Sequence, residues 1–273
     1  MTDVPLHRRA WRPPASDDAP AEGGARTNAL TIEDLPFTRT LVFAPHPDDE
    51  SIGSGALLAA AATRDAEIRV VFMTDGGNNP WPQRVARRRW RVGVEDDKRW
   101  GRLRRIEARH ALTELGVNPS KATFLGLPDD GLSALEREQL IEPIRSTIVE
   151  FNPTLLVIPS IDDFHGDHRS THRAILKALA VSGSKRPALI LSYIVHGHAT
   201  AAYRSFSAGS DEIARKRAAI GCHSSQLLLS RGRFTRYAAR AEQYAVIASL
   251  SVREEMAAAT LMAKLRHVVS LCW

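Results

Sequence analysis

Three short polar clusters carry residue types that could share one reaction. They are Pro45-His46-Pro47-Asp48-Asp49-Glu50, Thr74-Asp75-Gly76-Gly77 and Asp162-Asp163-Phe164-His165-Gly166-Asp167-His168. His46 and Asp49 are three apart, so at a helix start both side chains can reach one ion. His168 adds an imidazole from another turn. Two histidines and a carboxylate form a ligand set that leaves coordination positions open. A divalent ion with an open position lowers the pKa of a water toward neutrality. Asp48, beside Asp49, is then a spare carboxylate suited to general base work. His165, one turn before His168, suits protonation of a leaving group or stabilisation of an oxyanion. Asp167 suits accepting the second ring N–H of a histidine and so fixing its orientation. Acidic residues after a strand also cap helices, and a single His/Asp pair would read as a cap. Two dense clusters at matching strand ends are poorly explained by capping.

The elements that must position these clusters follow from local pattern. Thr40–Ala44, Glu67–Met73, Ala122–Leu125, Thr154–Pro159 and Leu189–Val195 read as strands. Residues 51–63, about 98–116, about 168–181 and 211–222 read as helices, as do about 251–270. Ser133, with Glu136 three residues on, reads as a capping box for a helix to about Phe151. Residues 75–97 read as a long irregular excursion. Strands alternating with helices predict an α/β fold with a mostly parallel sheet flanked by helices. In such a sheet ligands bind beyond the carboxyl ends of the strands, and all three clusters sit at such ends. Residues 1–27, rich in Pro, Ala, Gly and charge, read as a flexible tail. Residues 28–273 read as one α/β domain.

With those residues in view, the pairing of Pro45-His46-Pro47-Asp48-Asp49-Glu50 with His165-Gly166-Asp167-His168 resembles the PIG-L/LmbE-like family of zinc-dependent de-N-acetylases. Arg104-x-x-Glu107, followed by Ala111 and Leu115-Gly116, fits that family's helix. Lys216-x-x-Ala219-x-x-x-His223-x-Ser225-Gln226 resembles its C-terminal motif. The resemblance implies a Rossmann-like fold and hydrolysis of an N-acetyl group from an amino sugar or glycoconjugate. It implies His46, Asp49 and His168 as zinc ligands, a set that also suits iron(II). It implies Asp48 as general base, His165 as electrophilic or acidic partner, and Asp167 as the residue that orients His165. Gly166 stands where the family often has proline, and Ala56 where a second glycine is frequent. The motifs leave open an amidase acting on a non-acetyl amide, such as a thiol conjugate of a pseudodisaccharide.

Composition narrows the remainder. The chain has 273 residues, 44% of them hydrophobic and 25% charged, with a formal charge of +6. The excess is concentrated in residues 84–109, which hold eleven basic residues against four acidic ones. That excludes a uniformly basic, ribosomal-type protein. The segment carries three readings: a solvated helix face, a substrate-binding excursion over the pocket mouth, and a nucleic-acid-binding surface of interleaved Trp and Arg. Because it starts directly after Thr74-Asp75-Gly76-Gly77, the second is preferred. An anionic amino sugar would then meet Trp81 and Arg84, with Arg87 and Arg88, while Asp75 and His223 complete the site wall. Asp129-Asp130-Gly131 and His196-Gly197-His198 read as turns, and His172 as packing. Cys222 and Cys272 are too few for a disulfide framework. No apolar run is long enough to span a bilayer, and no apolar stretch follows the N-terminal arginines. The expected location is the cytoplasm.

Overall fold

The computed structural model describes residues 29–247, apart from 89, 184 and 185. The tail at 1–27 and the helix expected near 251–270 lie outside the described residues. In chain order the elements are β1 (Ala29–Leu30), β2 (Arg39–Ala44), α1 (Asp49–Ala62), β3 (Glu67–Thr74), α2 (Pro80–Arg87), α3 (Val94–Glu114), β4 (Ala122–Leu127), α4 (Arg137–Phe151), β5 (Leu155–Pro159), α5 (Gly166–Val181), β6 (Leu189–Tyr193), β7 (Tyr203–Phe206), α6 (Ser210–Cys222), α7 (Ser224–Ala239) and β8 (Gln243–Ile247).

The eight strands form one sheet in the order β1-β7-β8-β6-β5-β2-β3-β4. Only β8 runs against its neighbours, pairing antiparallel with β6 and β7. The chain builds outward from β2 through β3 to β4, then returns to lay β5 on the other side of β2. The strand order reverses between β2 and β5, and at such a switch point the following loops part to leave a crevice. The first and third polar clusters leave the sheet there.

Alternation along the strands divides the core in two. Val42, Ala44, Val70 and Phe72 face α1, α3 and α6, where Leu57, Leu58, Ala111, Leu112 and Ala219 are buried. Leu41, Phe43, Val71 and Met73 face α4 and α5, where Ile144, Ile148 and Ile175 are buried. Burial on both sides explains why these strands read as continuous apolar runs.

Within α1 the backbone breaks at Ser54 (φ −146°, ψ 15°). The Glu242 carboxylate takes up the N–H groups of Ala56 (2.7 Å) and Leu57 (3.1 Å). The buried Lys216 ammonium balances that charge at 3.1 Å. Lys216 of the C-terminal motif therefore braces the helix that carries the first cluster.

Three expectations need correction. The 75–97 excursion is not wholly irregular: Asn79 precedes α2, whose first residue, Pro80, has a φ suited to a helix start, and α3 begins earlier, at Val94. Residues Leu132–Ala134 form a short 3-10 turn and α4 starts only after Glu136, whose N–H donates to Gln139 Oε1 at 3.3 Å, so Ser133 is not the cap. The short strands β1, β7 and β8 and the helix α7 were not read from the sequence.

Candidate metal and catalytic centre

The turn from β2 into α1 sets the geometry. Asp48 has φ 135° and ψ −26°, a backbone state that costs a side-chain-bearing residue about 1–3 kcal/mol and persists only when its surroundings enforce it. Two buried groups do so. Glu50 Oε2 accepts the Asp48 N–H at 2.8 Å, and His223 Nε2 holds Glu50 Oε1 at 3.0 Å. The Arg104 guanidinium reaches the Pro47 carbonyl, the Gly76 carbonyl at 2.9 Å and Asp48 Oδ1 at 3.1 Å. Gly76 has φ +64°, and a Cβ there would lie 1.9 Å from Arg104 Nη1. A glycine is needed for the guanidinium to tie both loops together.

Asp49 Oδ2 lies 3.1 Å from both His46 Nδ1 and His168 Nε2. His46 Nε2 in turn lies 3.2 Å from Asp167 Oδ2 and from Asp129 Oδ1. His168 Nδ1 lies 3.1 Å from Asp163 Oδ2. All of these groups except Asp129 are buried, and Asp129 is largely so. Burial resists charge on His46, but Asp129, Asp167 and Asp49 outweigh it and hold the ring protonated well above the usual histidine range. His168 is likewise raised to about 9: burial opposes the shift, and Asp49 and Asp163 overcome it. Asp49 is held well below the usual carboxylate range, because His168 and His46 outweigh its burial. Asp48 is pushed up to about 6 by burial, with Arg104 pulling the other way.

Such a concentration of carboxylates around two buried imidazoles is a site that favours positive charge. Neither ring nitrogen of His168 makes a hydrogen bond of good geometry, although carboxylates stand 3.1 Å away. A nitrogen poised beside a carboxylate without bonding to it is what shared coordination of a cation requires. Donor type and burial at His46, Asp49 and His168 therefore fit a divalent ion, which would replace the imidazole protons. His165 and His196 add nitrogens near the same point.

The cleft above this centre has a volume of about 280 Å³ and is floored by His46, Asp48, Asp49 and Arg104. Asp129 and Asp130, from the end of β4, line one side, with His165 and His196. Asn78 and Asn79, after β3, line another, and Arg233, Phe234 and Tyr237 of α7 close it. His165 Nδ1 accepts the Asp167 N–H at 3.2 Å, which leaves Nε2 as the protonated, donating nitrogen. Burial first, and the His46 and His168 charges next, lower its pKa and keep it neutral. His196 is pushed to about 4, mainly by burial.

The structure thus brings together His46, Asp48, Asp49, His165, Asp167 and His168. It does not bring the other candidates to the cleft. The Asp75 carboxylate is taken by Arg105 in a forked pair of 2.6 and 2.5 Å. Trp81 faces outward beneath Arg84, whose guanidinium lies 4.8 Å from its ring centroid. Arg87 pairs with Asp96. His223 is fully buried against Glu50, behind the site rather than in its wall. The Asp167 carboxylate faces His46 and accepts the Asp130 and Leu132 N–H groups at 2.8 and 3.1 Å, so its link to His165 is through the backbone.

Sequence reasoning missed several residues. Asp163 accepts N–H groups from His165 (2.9 Å), Val195 (3.0 Å) and His196 (2.9 Å) while backing His168. An aspartate two residues before a histidine is an Asx-turn signal, and that alone could have raised it. Asp129 was read as a turn residue and does accept the Asn78 N–H at 2.7 Å, yet it also meets His46. Arg233, Phe234 and Tyr237 gave no local signal. His172 is buried with Nδ1 at 2.9 Å from the Pro159 carbonyl, in keeping with packing.

The comparisons agree with this geometry. The family model described as PIG-L, GlcNAc-PI de-N-acetylase, matches residues 41–179. The chain is similar to a 1D-myo-inositol 2-acetamido-2-deoxy-alpha-D-glucopyranoside deacetylase of Streptomyces avermitilis, 30% identical over 58% of this chain and 59% of the relative. The chain therefore spans about three fifths of that relative's length. Among solved structures it is similar to a deacetylase triple mutant of the teicoplanin biosynthetic pathway, with TM-score 0.59 and 25% identity over 77% of this chain and 97% of the other. It shares its fold with the N,N'-diacetylchitobiose deacetylase of Pyrococcus horikoshii, with TM-score 0.62 and 20% identity over 78% and 85% of the two chains.

Proposed function

The chain belongs to the PIG-L family, and on that premise we propose that it is a metal-dependent hydrolase removing the N-acetyl group from an amino sugar or glycoconjugate. The observation that supports this reading is one cleft in which Asp48, with a carboxyl pushed up to about 6, adjoins a cation-favouring cluster and a neutral, donating His165.

His46, Asp49 and His168 would hold the metal, and a nitrogen-rich set of this kind suits zinc. When bound, a divalent cation supplies Lewis acidity that makes a water nucleophilic and polarises the acetamide carbonyl. Asp48 takes the proton from the attacking water as its oxygen bonds to the acetamide carbon. His165 donates its Nε2 hydrogen toward the developing oxyanion, a contribution of about 3–4 kcal/mol for one such donor. The proton held by Asp48 then passes to the amine nitrogen as the C–N bond breaks, releasing acetate and the free amino sugar. Asp163 fixes the His168 ring and Asp167 the His46 ring, the usual duty of carboxylates behind metal-binding histidines. Arg104 holds Asp48 in its strained conformation.

Acetate release is to be measured on a panel of N-acetylated amino sugars and glycoconjugates, with Asp48→Asn as the comparison. The expected outcome is acetate release by the native chain and a fall of about 100- to 10,000-fold in the variant, with metal content unchanged by elemental analysis. Normal turnover by Asp48→Asn would overturn its role. Release of a longer acid, without acetate, would favour the amidase reading.

A further inference from the structure

Beside the cleft mouth the chain turns outward a face on which basic and apolar residues are mixed. From Pro80 to Val94 the sequence contains Arg84, Arg87, Arg88, Arg89 and Arg91 and no acidic residue. Trp81, Arg84, Val85 and Arg88 recur at i, i+3, i+4 and i+7, so they form one stripe along α2. Trp81 is 58% exposed and Val85 50%, and beyond the helix Trp90 is 80% exposed and Val94 69%. Single exposed apolar residues are ordinary, but two tryptophans and two valines within one short segment are not. α7, which packs on α2, exposes Leu228 and Leu229. Among the described residues no carboxylate pairs with Arg84, Arg88 or Arg91, while Arg87 is engaged by Asp96.

The side-chain chemistry selects the partner. Tryptophan has an apolar body with one polar edge, and arginine an apolar stem with a charged head. Both settle at the boundary between lipid headgroups and hydrocarbon, and unpaired arginines draw anionic headgroups. A nucleic acid would stack bases on the tryptophans, but Val85, Val94, Leu228 and Leu229 offer no face for stacking and gain from hydrocarbon. The chain beyond the described residues is not directed here. β8 ends at Ile247 opposite Ile190, near the start of β6, so it leaves the sheet at the edge away from the cleft. No helix among the described residues is long and apolar enough to cross a membrane, so attachment is at the surface.

We propose that this face docks peripherally on an anionic lipid bilayer, with Trp81 and Trp90 among the headgroups. Asn79, at the start of α2, lines the cleft and donates to Gln226 Oε1 of α7 at 3.0 Å. Docking would therefore hold the cleft mouth beside the membrane, where the sugar of a membrane-held glycoconjugate is presented.

The test is co-sedimentation of the full chain with vesicles of phosphatidylcholine, with and without phosphatidylglycerol. Expected results are pelleting only with the anionic vesicles, release at high salt, and quenching of tryptophan fluorescence by brominated acyl chains. Arg84→Gln, Arg88→Gln and Arg91→Gln should each weaken partition by about fivefold. Trp90→Ala should reduce the quenching without changing the melting temperature, and Trp81→Ala should reduce it further. Absence of pelleting, equal pelleting of native and substituted chains, or tight binding to single-stranded DNA in place of vesicles would each overturn the proposal.

Discussion

Replacing Arg104 by glutamine tests the electrostatics of the site most directly. The guanidinium lies 3.1 Å from Asp48 Oδ1, and both side chains are largely buried. At an effective dielectric near 20 a pair about 4 Å apart interacts by about 4 kcal/mol before desolvation is charged against it. A neighbouring guanidinium lowers a carboxyl by about 1–3 pH units. Asp48 stands at about 6 with Arg104 in place, so its removal should carry the carboxyl up by that interval. The sign is definite: a general base works ionised, so kcat/KM falls as pH drops through the Asp48 pKa, and the variant's acidic limb moves to higher pH. At pH 7 the loss is about two- to a hundredfold, recovered as the pH is raised. A cation in the centre lowers the limb of both proteins, so the difference between them is the quantity to compare. Arg104 also holds the Pro47 and Gly76 carbonyls, so Arg104→Lys is the control: it keeps the charge, loses the forked contacts, and leaves the limb in place. The assay is a pH profile of acetate release for the three proteins. A loss by Arg104→Gln of equal factor at every pH would refute the argument and leave Arg104 as a loop brace alone.

Asp163→Asn removes the negative charge behind His168, and metal affinity should weaken by about 10- to 100-fold, read by competition with a chelator. Gly53→Ala places a Cβ 2.3 Å from Tyr193 Cδ2, and thermal unfolding should show a loss of about 1–3 kcal/mol from overpacking. Gly166→Pro should raise stability by about 0.4–1 kcal/mol, read as a higher melting temperature with activity retained. Gly166 is the first residue of α5, a Cβ there meets nothing within 4 Å, and His165 before it is already extended (φ −76°, ψ 133°), as a residue preceding proline must be.

The backbone at Asp48 shows how the site distributes its costs. The reactive carboxylate sits on the one residue of its turn in a left-handed state, and the groups that enforce it come from three helices: Glu50 of α1, Arg104 of α3 and His223 at the α6–α7 junction. Glu107, one turn after Arg104, is fastened by Ser224 Oγ at 2.7 Å and Ser225 N–H at 2.8 Å. The C-terminal motif seen in the sequence is therefore a buckle behind the site. That explains why His223 carries a recognisable pattern and yet never reaches the cleft.

What the sequence by itself determined is what depends on near neighbours. Apolar runs and helical spacing placed the five central strands and most helices, because their signals arise within one or two turns. Pro45-His46-Pro47-Asp48-Asp49-Glu50 and His165-Gly166-Asp167-His168 marked the centre, because their residues lie within one turn of a strand end and the parallel fold aims those ends at one crevice. Only the tertiary structure decided what fills the space around them. β8 is a short antiparallel strand whose place depends on pairing with β6 and β7, and α7 forms the cleft wall through packing on α2 and α6. Asp129, Asp163 and Arg104 meet the centre from turns and a helix far away in sequence. The basic excursion was read as a substrate clamp because it follows a site strand. Its arginines and tryptophans turn outward, since Asp75 and Asp96 engage Arg105 and Arg87 while Gln83 anchors α2 to the Gly77 carbonyl at 2.8 Å and to Asp97 Oδ1 at 2.9 Å. Which face of a short helix points into a cleft is set by such long-range anchors, and local spacing carries no record of them.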